Sequence, residues 1–197
     1  MKIDPDTFER SLYRTMTGAV VPRPIGWIST TSEDGVDNLA PYSYFNVVSV
    51  DPSVVMFAPV DEGPDALKDS ARNVLDTGEF VHNVVTRDLA EAMNATSATL
   101  PAEESEFDHA DIERAESETV APPRVAAADI AFECELYDAI DIGISTLILG
   151  EITMVHVDDS VTTSEGKVDV EKVDAVGRLA GNWYATTRDR FRQERPD

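Results

Sequence analysis

Residues 129–138, DIAFECELYD, and residues 145–158, STLILGEITMVHVD, are two strand-like stretches separated by only six residues. In the first, Ile130, Phe132, Cys134 and Leu136 alternate with Ala131, Glu133, Glu135 and Tyr137. That period of two describes a strand with one apolar face and one face toward solvent. The second stretch continues the pattern as its partner. Several strands, long hairpins and no strand–helix–strand rhythm point to an antiparallel barrel or sandwich rather than a parallel sheet.

The rest of the chain agrees. IGWISTT and DNLAPYS flank SEDGVD, where Asp34 and Gly35 supply turn chemistry for a β-hairpin. SVVMFAP, an apolar run bounded by prolines, reads as a strand buried on both faces. EFVHNVV reads as another, with Phe80, His82 and Val84 opposite Val81, Asn83 and Val85. Between these two strands, GPDALKDSARNVLDTG places Leu67, Val74 and Leu75 ahead of a closing Gly78, which predicts a helix of two or three turns. TRDLAEAMNAT predicts a second helix, and DTFERSLYRTM, with Phe8 and Leu12 four apart, a short capped one. Residues 101–124 hold eight acids against two arginines, with three prolines, and are expected to form a solvated excursion or lid outside the core. The chain is thus mainly β with a few helices. With 197 residues, 42% of them apolar, it is expected to be one domain over 1–197.

Charge narrows the partners. Against 38 Asp and Glu stand 16 Lys and Arg, a formal net charge of −22. Such a field repels nucleic acid and favours concentrated salt, which points to a salt-loving source. No apolar run reaches membrane-spanning length, and the first residues, MKIDPDTFER, lack a signal pattern, so a cytoplasmic protein is expected. Cys134 is the only cysteine, which excludes an intramolecular disulfide and a cysteine-based zinc site. His82, His109 and His156 have no metal-ligand spacing, and no metal site is expected. Neither GxGxxG nor GxxxxGK[ST] occurs, and GISTL lacks the second glycine of a nucleophile elbow.

A polar enclave remains. Residues 22–46, PRPIGWISTTSEDGVDNLAPYSYFN, hold only three acids. LKDSARN sets Lys68, one of four lysines, just ahead of a helix whose first turn holds Asp69, Ser70 and Asn73. An ammonium, a hydroxyl and helix-start N–H groups suit a phosphate monoester, although Asp69 or Ser70 could equally serve as a cap. Ser29, Thr30 and Thr31 are similarly double-valued, since threonine favours strands in any case. APYSYFN offers aromatic surface and backbone suited to a flat heteroaromatic ring.

In order, PRPIGWIST, NLAPYSYFN, VSVDPSVVMF, KDSARN, TGEFVHN, SEFDHADIE and GRLAGNWY resemble the flavin reductase-like family of FMN-binding split barrels over about residues 10–190. The resemblance implies an antiparallel split β-barrel that forms a homodimer with FMN near the interface. Ser29, Thr30, Lys68, Asp69, Ser70 and Asn73 would surround the phosphate and ribityl chain. Ala40, Pro41, Tyr42, Ser43, Tyr44, Phe45 and Asn46 would run along the ring, giving N–H groups to its N5 and O4 edge. Arg178 is carried over as cofactor-binding without a defined role, and Arg23 as either a site residue or one half of an ion pair across the interface. No side chain is expected to be catalytic, because the flavin N5 carries the chemistry. The implied activity is an oxidoreductase that takes hydride from NADH or NADPH and passes electrons to free flavin, ferric complexes or a partner oxygenase. The alternative is an FMN-containing electron carrier that does not oxidise NAD(P)H directly. Taken with the acidic composition, the resemblance suggests a halophilic archaeal source.

Overall fold

The computed structural model describes residues 2–61 and 67–196. Its strands are β1 (Arg23–Pro24), β2 (Gly26–Thr31), β3 (Asp37–Tyr42), β4 (Phe45–Val50), β5 (Ser53–Phe57), β6 (Glu79–Asn83), β7 (Arg114–Ala115), β8 (Arg124–Val125), β9 (Ile130–Ile142), β10 (Ser145–Val157), β11 (Val176–Arg178) and β12 (Tyr184–Thr186). The helices are α1 (Tyr13–Ala19), α2 (Asp69–Thr77), α3 (Ala90–Ala95) and α4 (Glu106–His109). The alternating stretches form β9 and β10, thirteen residues each, paired antiparallel from Ile130 opposite Val157 to Ile142 opposite Ser145. Both hairpin strands expected around Gly35 are present as β2 and β3.

Seven strands form one antiparallel sheet in the order β3-β2-β6-β9-β10-β5-β4. Laid flat, its outer strands would stand about 29 Å apart at about 4.8 Å per strand. Only Ser43 and Tyr44 join those two outer strands, and such a link reaches no more than about 11 Å. The sheet must therefore curl until β3 and β4 lie side by side, and since they are not paired with each other, the barrel is left with a seam.

Ile28, Phe45, Val55, Phe57, Phe80, Cys134 and Ile148 fill the barrel, and α2 adds Val74. Each side chain of this kind, fully buried, contributes about 1.5–3 kcal/mol. A second cluster lies on the other face of β2, where Trp27, Leu39, Met93, Phe107 and Val125 are packed. Gly78, at φ 78°, ends α2 in the left-handed region, as its place in the sequence implied. The segment 62–66 of the stretch expected to hold this helix lies outside the described residues.

Three expectations are corrected. The first helix starts at Tyr13, not near Thr7, because the Asp4 carboxylate and carbonyl take the N–H groups of Asp6 and Thr7 in a local turn. The acidic excursion is not all solvent: Phe107 is fully buried in the second cluster and Glu106 is buried beside it. Glu133, on the face expected to meet water, is 0% exposed, because residues 118 and 119 fold over it. Its Oε1 accepts from Glu118 N (2.8 Å) and lies 2.6 Å from His156 Nε2, while Oε2 accepts from Thr119 N and Thr119 Oγ1 at 2.6 Å each.

Candidate functional site

The seam is built by how β3 treats its outer edge. Leu39 sends its N–H to Glu106 Oε2 (2.9 Å) instead of to β2. By antiparallel alternation the neighbouring Ala40 N–H then faces β2, and Pro41 has no N–H to give. Of the segment 40–46 expected to run along a ring, Ala40 and Pro41 therefore have no outward N–H to give.

The start of α2 lies against this edge. Asp61 bridges the approach to it, accepting from Lys68 N and from Thr146 Oγ1 of β10, both at 3.0 Å. Ser70 Oγ accepts from Asn38 Nδ2 (2.9 Å) and from Tyr42 OH (3.0 Å), pinning α2 to β3. Burial pushes the Tyr42 phenol well above its ordinary range, so it remains a donor here. Asn73 Nδ2 donates to Thr30 Oγ1 at 3.0 Å.

A hollow of about 200 Å³ opens between these elements, and Ala40, Pro41, Tyr42, Lys68 and Asp69 line it. Thr96, Ser97 and Thr99, just past α3, complete its wall; helix patterning marks this stretch only as a helix end, although ATSAT shows a hydroxyl cluster. Asp69 and Glu106 also border the hollow, but Arg72 holds Asp69 at 2.6 Å, and burial raises Glu106 toward its neutral form despite the Leu39 N–H. Ser29 and Thr30 are not brought in. They alternate across β2, both fully buried, with Ser29 Oγ on Pro123 O (2.5 Å) and Thr30 on Asn73. Ser70 and Asn73 are likewise buried, acting as the struts beneath the hollow.

Ser43 leads to a second hollow of about 390 Å³ on the other side of Pro41. Arg23, expected as either a site residue or one half of an interface ion pair, braces this wall within its own chain. Its Nη1 donates to Thr17 O (2.7 Å) and Val20 O (2.6 Å) and its Nη2 to Leu179 O (3.1 Å). Arg178 stacks over the Tyr184 ring at 4.6 Å and donates to the Tyr184 hydroxyl. Ser43, Tyr44, Phe45 and Asn46 border a third, more apolar hollow with Val20, Pro24 and Ile142. Phe45 is core rather than lining alone, stacked 4.1 Å from His82, whose ring burial depresses to a pKa of about 3.

Known proteins share this architecture. Component B of nitrilotriacetate monooxygenase from Bacillus cereus superposes with a TM-score of 0.92 at 33% identity, covering 98% of each chain. The 2-nitrobenzoate 2-nitroreductase NbaA of Pseudomonas fluorescens gives 0.90 at 32% identity, covering 100% of this chain and 96% of that one. The flavoredoxin of Desulfovibrio vulgaris shares the fold, with a TM-score of 0.77 at 19% identity over 98% and 97% of the two chains. An uncharacterized protein of Aquifex aeolicus is 41% identical over 88% of this chain and 89% of its own length. The relatives are mostly bacterial and lend no support to a halophilic archaeal source. Residues 17–170 match the model of the flavin reductase-like domain. With that match on top of the split antiparallel barrel, the chain belongs to the flavin reductase-like domain family.

Proposed function

We propose that this chain binds FMN along the seam and is an NAD(P)H-dependent flavin reductase-type oxidoreductase, passing electrons to free flavin, ferric complexes or a partner oxygenase. The observation that carries the reading is the donor set of the seam hollow: Lys68, Ser97 and Thr99 beside the edge strand β3, with the bordering acids Asp69 and Glu106 already engaged by Arg72 and the Leu39 N–H. That set fits a phosphate monoester, and Pro41, with the link after it, fits the rim of a flat ring.

When bound, the flavin supplies the hydride- and electron-transfer chemistry. The chain's own residues bind and orient. Lys68 and the hydroxyls past α3 hold the phosphate, Ser70 and Asn73 fix α2 behind it, and the Ser43–Tyr44 link offers N–H groups to the polar edge of the ring. Ser29 and Thr30 act through β2, holding Pro123 and Asn73 in place. No seam side chain is assigned a proton transfer. A partner oxygenase stands among the acceptors because one neighbour at 33% identity is a monooxygenase component.

The reading extends to a homodimer in the cytoplasm. Val47, Val48 and Val50 are exposed on β4, and Ile140, Ile142 and Ile144 around the β9–β10 turn, where Ile142 also borders the third hollow. A second copy covering them would also close the site.

The test is to purify the protein without added cofactor, record its visible spectrum, and add NADH or NADPH without oxygen. A yellow protein that bleaches promptly supports the proposal, and Lys68→Gln should weaken FMN binding at least tenfold. Yellow protein that does not bleach makes it an electron carrier. Colourless protein that cannot take up FMN refutes the flavin assignment.

A further inference from the structure

The hollow on the far side of Pro41 differs in charge from the rest of the surface. Aspartate and glutamate make up 38 of 197 residues, yet none lines this hollow, while two arginines do. The hollow beside Arg72 shows the contrast, with Glu33, Asp34, Asp69, Asp76, Glu103 and Glu104 in its walls. Of the two arginines, Arg23 is buried and spends its donors on the carbonyls of Thr17, Val20 and Leu179. Arg178 is different. It is half-buried, rests on the Tyr184 ring and, among the described residues, has no carboxylate partner. A guanidinium held over an aromatic ring loses little side-chain freedom when it meets a planar anion, and its remaining N–H groups can match such a group in pairs. The hollow also adjoins the one described above, since Pro41 and Ser97 line both.

We infer that the Arg178 hollow receives the anionic group of the second substrate, with Arg178 as its recognition residue and Pro41 separating it from the flavin. This rests on the flavin reading of the seam and adds the substrate class: a compound bearing a carboxylate or phosphate. In a chain of net charge −22 an anion needs such a place, because most of the surface repels it.

The test is calorimetric, on FMN-loaded protein at low salt, with benzoate, NAD⁺ and NADP⁺ as probes and neutral benzamide as control. Arg178→Gln should raise the dissociation constant of an anionic probe at least tenfold and leave benzamide and FMN unchanged, with Arg178→Lys between the two. A shift for benzoate identifies a carboxylate-bearing oxidant. A shift for both dinucleotides identifies the donor's pyrophosphate, and a shift for NADP⁺ alone its extra phosphate. Should Arg178→Gln fail to fold, Asn182→Asp sets a carboxylate on the exposed rim without touching Arg178 and should weaken the same probe at least fivefold. The inference is overturned if no anionic probe binds the wild-type protein, if neither variant changes binding, or if Arg178→Gln weakens FMN as much as the probe. Failure of the wild-type protein to bind FMN would refute the flavin reading instead, and anion binding could still be measured on the flavin-free protein.

Discussion

Glu133→Gln should cost this protein about 3–5 kcal/mol of stability at neutral pH. Two routes lead to that figure. The carboxylate is fully buried and takes four hydrogen bonds, from Glu118 N, Thr119 N, Thr119 Oγ1 and His156 Nε2. Each oxygen faces a backbone N–H, so a glutamine amide must turn its own NH₂ toward one of them whichever way it flips. The backbone bond on that side is lost outright, at about 1.5–3 kcal/mol, and the remaining bonds lose the assistance of the charge. The second route is titration. Burial raises this carboxyl, but the bonds from Thr119, Glu118 and His156 outweigh it and hold the pKa at about 2, against 4.5 for an ordinary glutamate. That difference is worth on the order of 3 kcal/mol, at roughly 1.4 kcal/mol per pH unit.

The sign follows from linkage. A depressed carboxyl contributes its stability above its unfolded value and loses it as pH falls toward the folded one. Wild-type and Glu133→Gln proteins should therefore differ by a constant amount above pH 5, and the gap should narrow by about 2 kcal/mol by pH 3, as the carboxyl of the unfolded wild-type chain takes up its proton while the native one is still ionised. Urea unfolding of both proteins at pH 7, 5, 4 and 3, in enough salt to screen their shared charge, measures the gap directly. A gap under about 1 kcal/mol at pH 7, or one that does not narrow on acidification, would refute the reasoning.

Gly150 faces Phe80 so closely that a Cβ there would fall 2.3 Å from the ring, and Gly150→Ala should lower stability by about 1–3 kcal/mol in thermal unfolding, partly recovered by Phe80→Leu. Arg23→Gln removes the guanidinium that ties α1 and residue 179 together; limited proteolysis should then cut within residues 13–22 faster, while an unchanged rate would show that the tie carries no load. With a formal net charge of −22, stability should rise steadily as NaCl approaches 1 M, where the screening length is about 3 Å, and a flat salt response would show the acids to be too far apart to repel.

What the sequence revealed depended on how local the cause was. Alternation drew β9 and β10, turn chemistry at Asp34 and Gly35 drew the β2–β3 hairpin, and Gly78 marked the end of α2. These signals act within a few residues. Burial of acids does not. Counting charges placed residues 101–124 in solvent, but Glu106 is drawn inward because the Leu39 N–H at a sheet edge needs an acceptor, and Phe107 follows it into the core. Glu133 was misjudged for the same reason, since a strand pattern cannot show which loop will fold over its outer face. Ser29 and Thr30 are another matter. Neighbours on one strand point to opposite faces, so the period of two itself forbade both side chains from meeting one phosphate.

The seam joins the architecture to the site. An unpaired edge strand invites another strand to add to it unless its N–H groups are occupied or removed. On β3 the Glu106 carboxylate occupies the Leu39 N–H, and Pro41 removes one. With the edge silenced that far, the barrel does not zip shut along β3, and β3 and β4 stay unpaired at the seam. The acid beside the proposed phosphate region therefore guards the edge, its Oε2 turned to the Leu39 N–H. Glu106→Gln should accordingly preserve the seam, since an amide oxygen can still accept from Leu39. Glu106→Leu leaves that N–H unpaired, and amide exchange at Leu39 should then speed up while exchange in the β9–β10 pair stays unchanged.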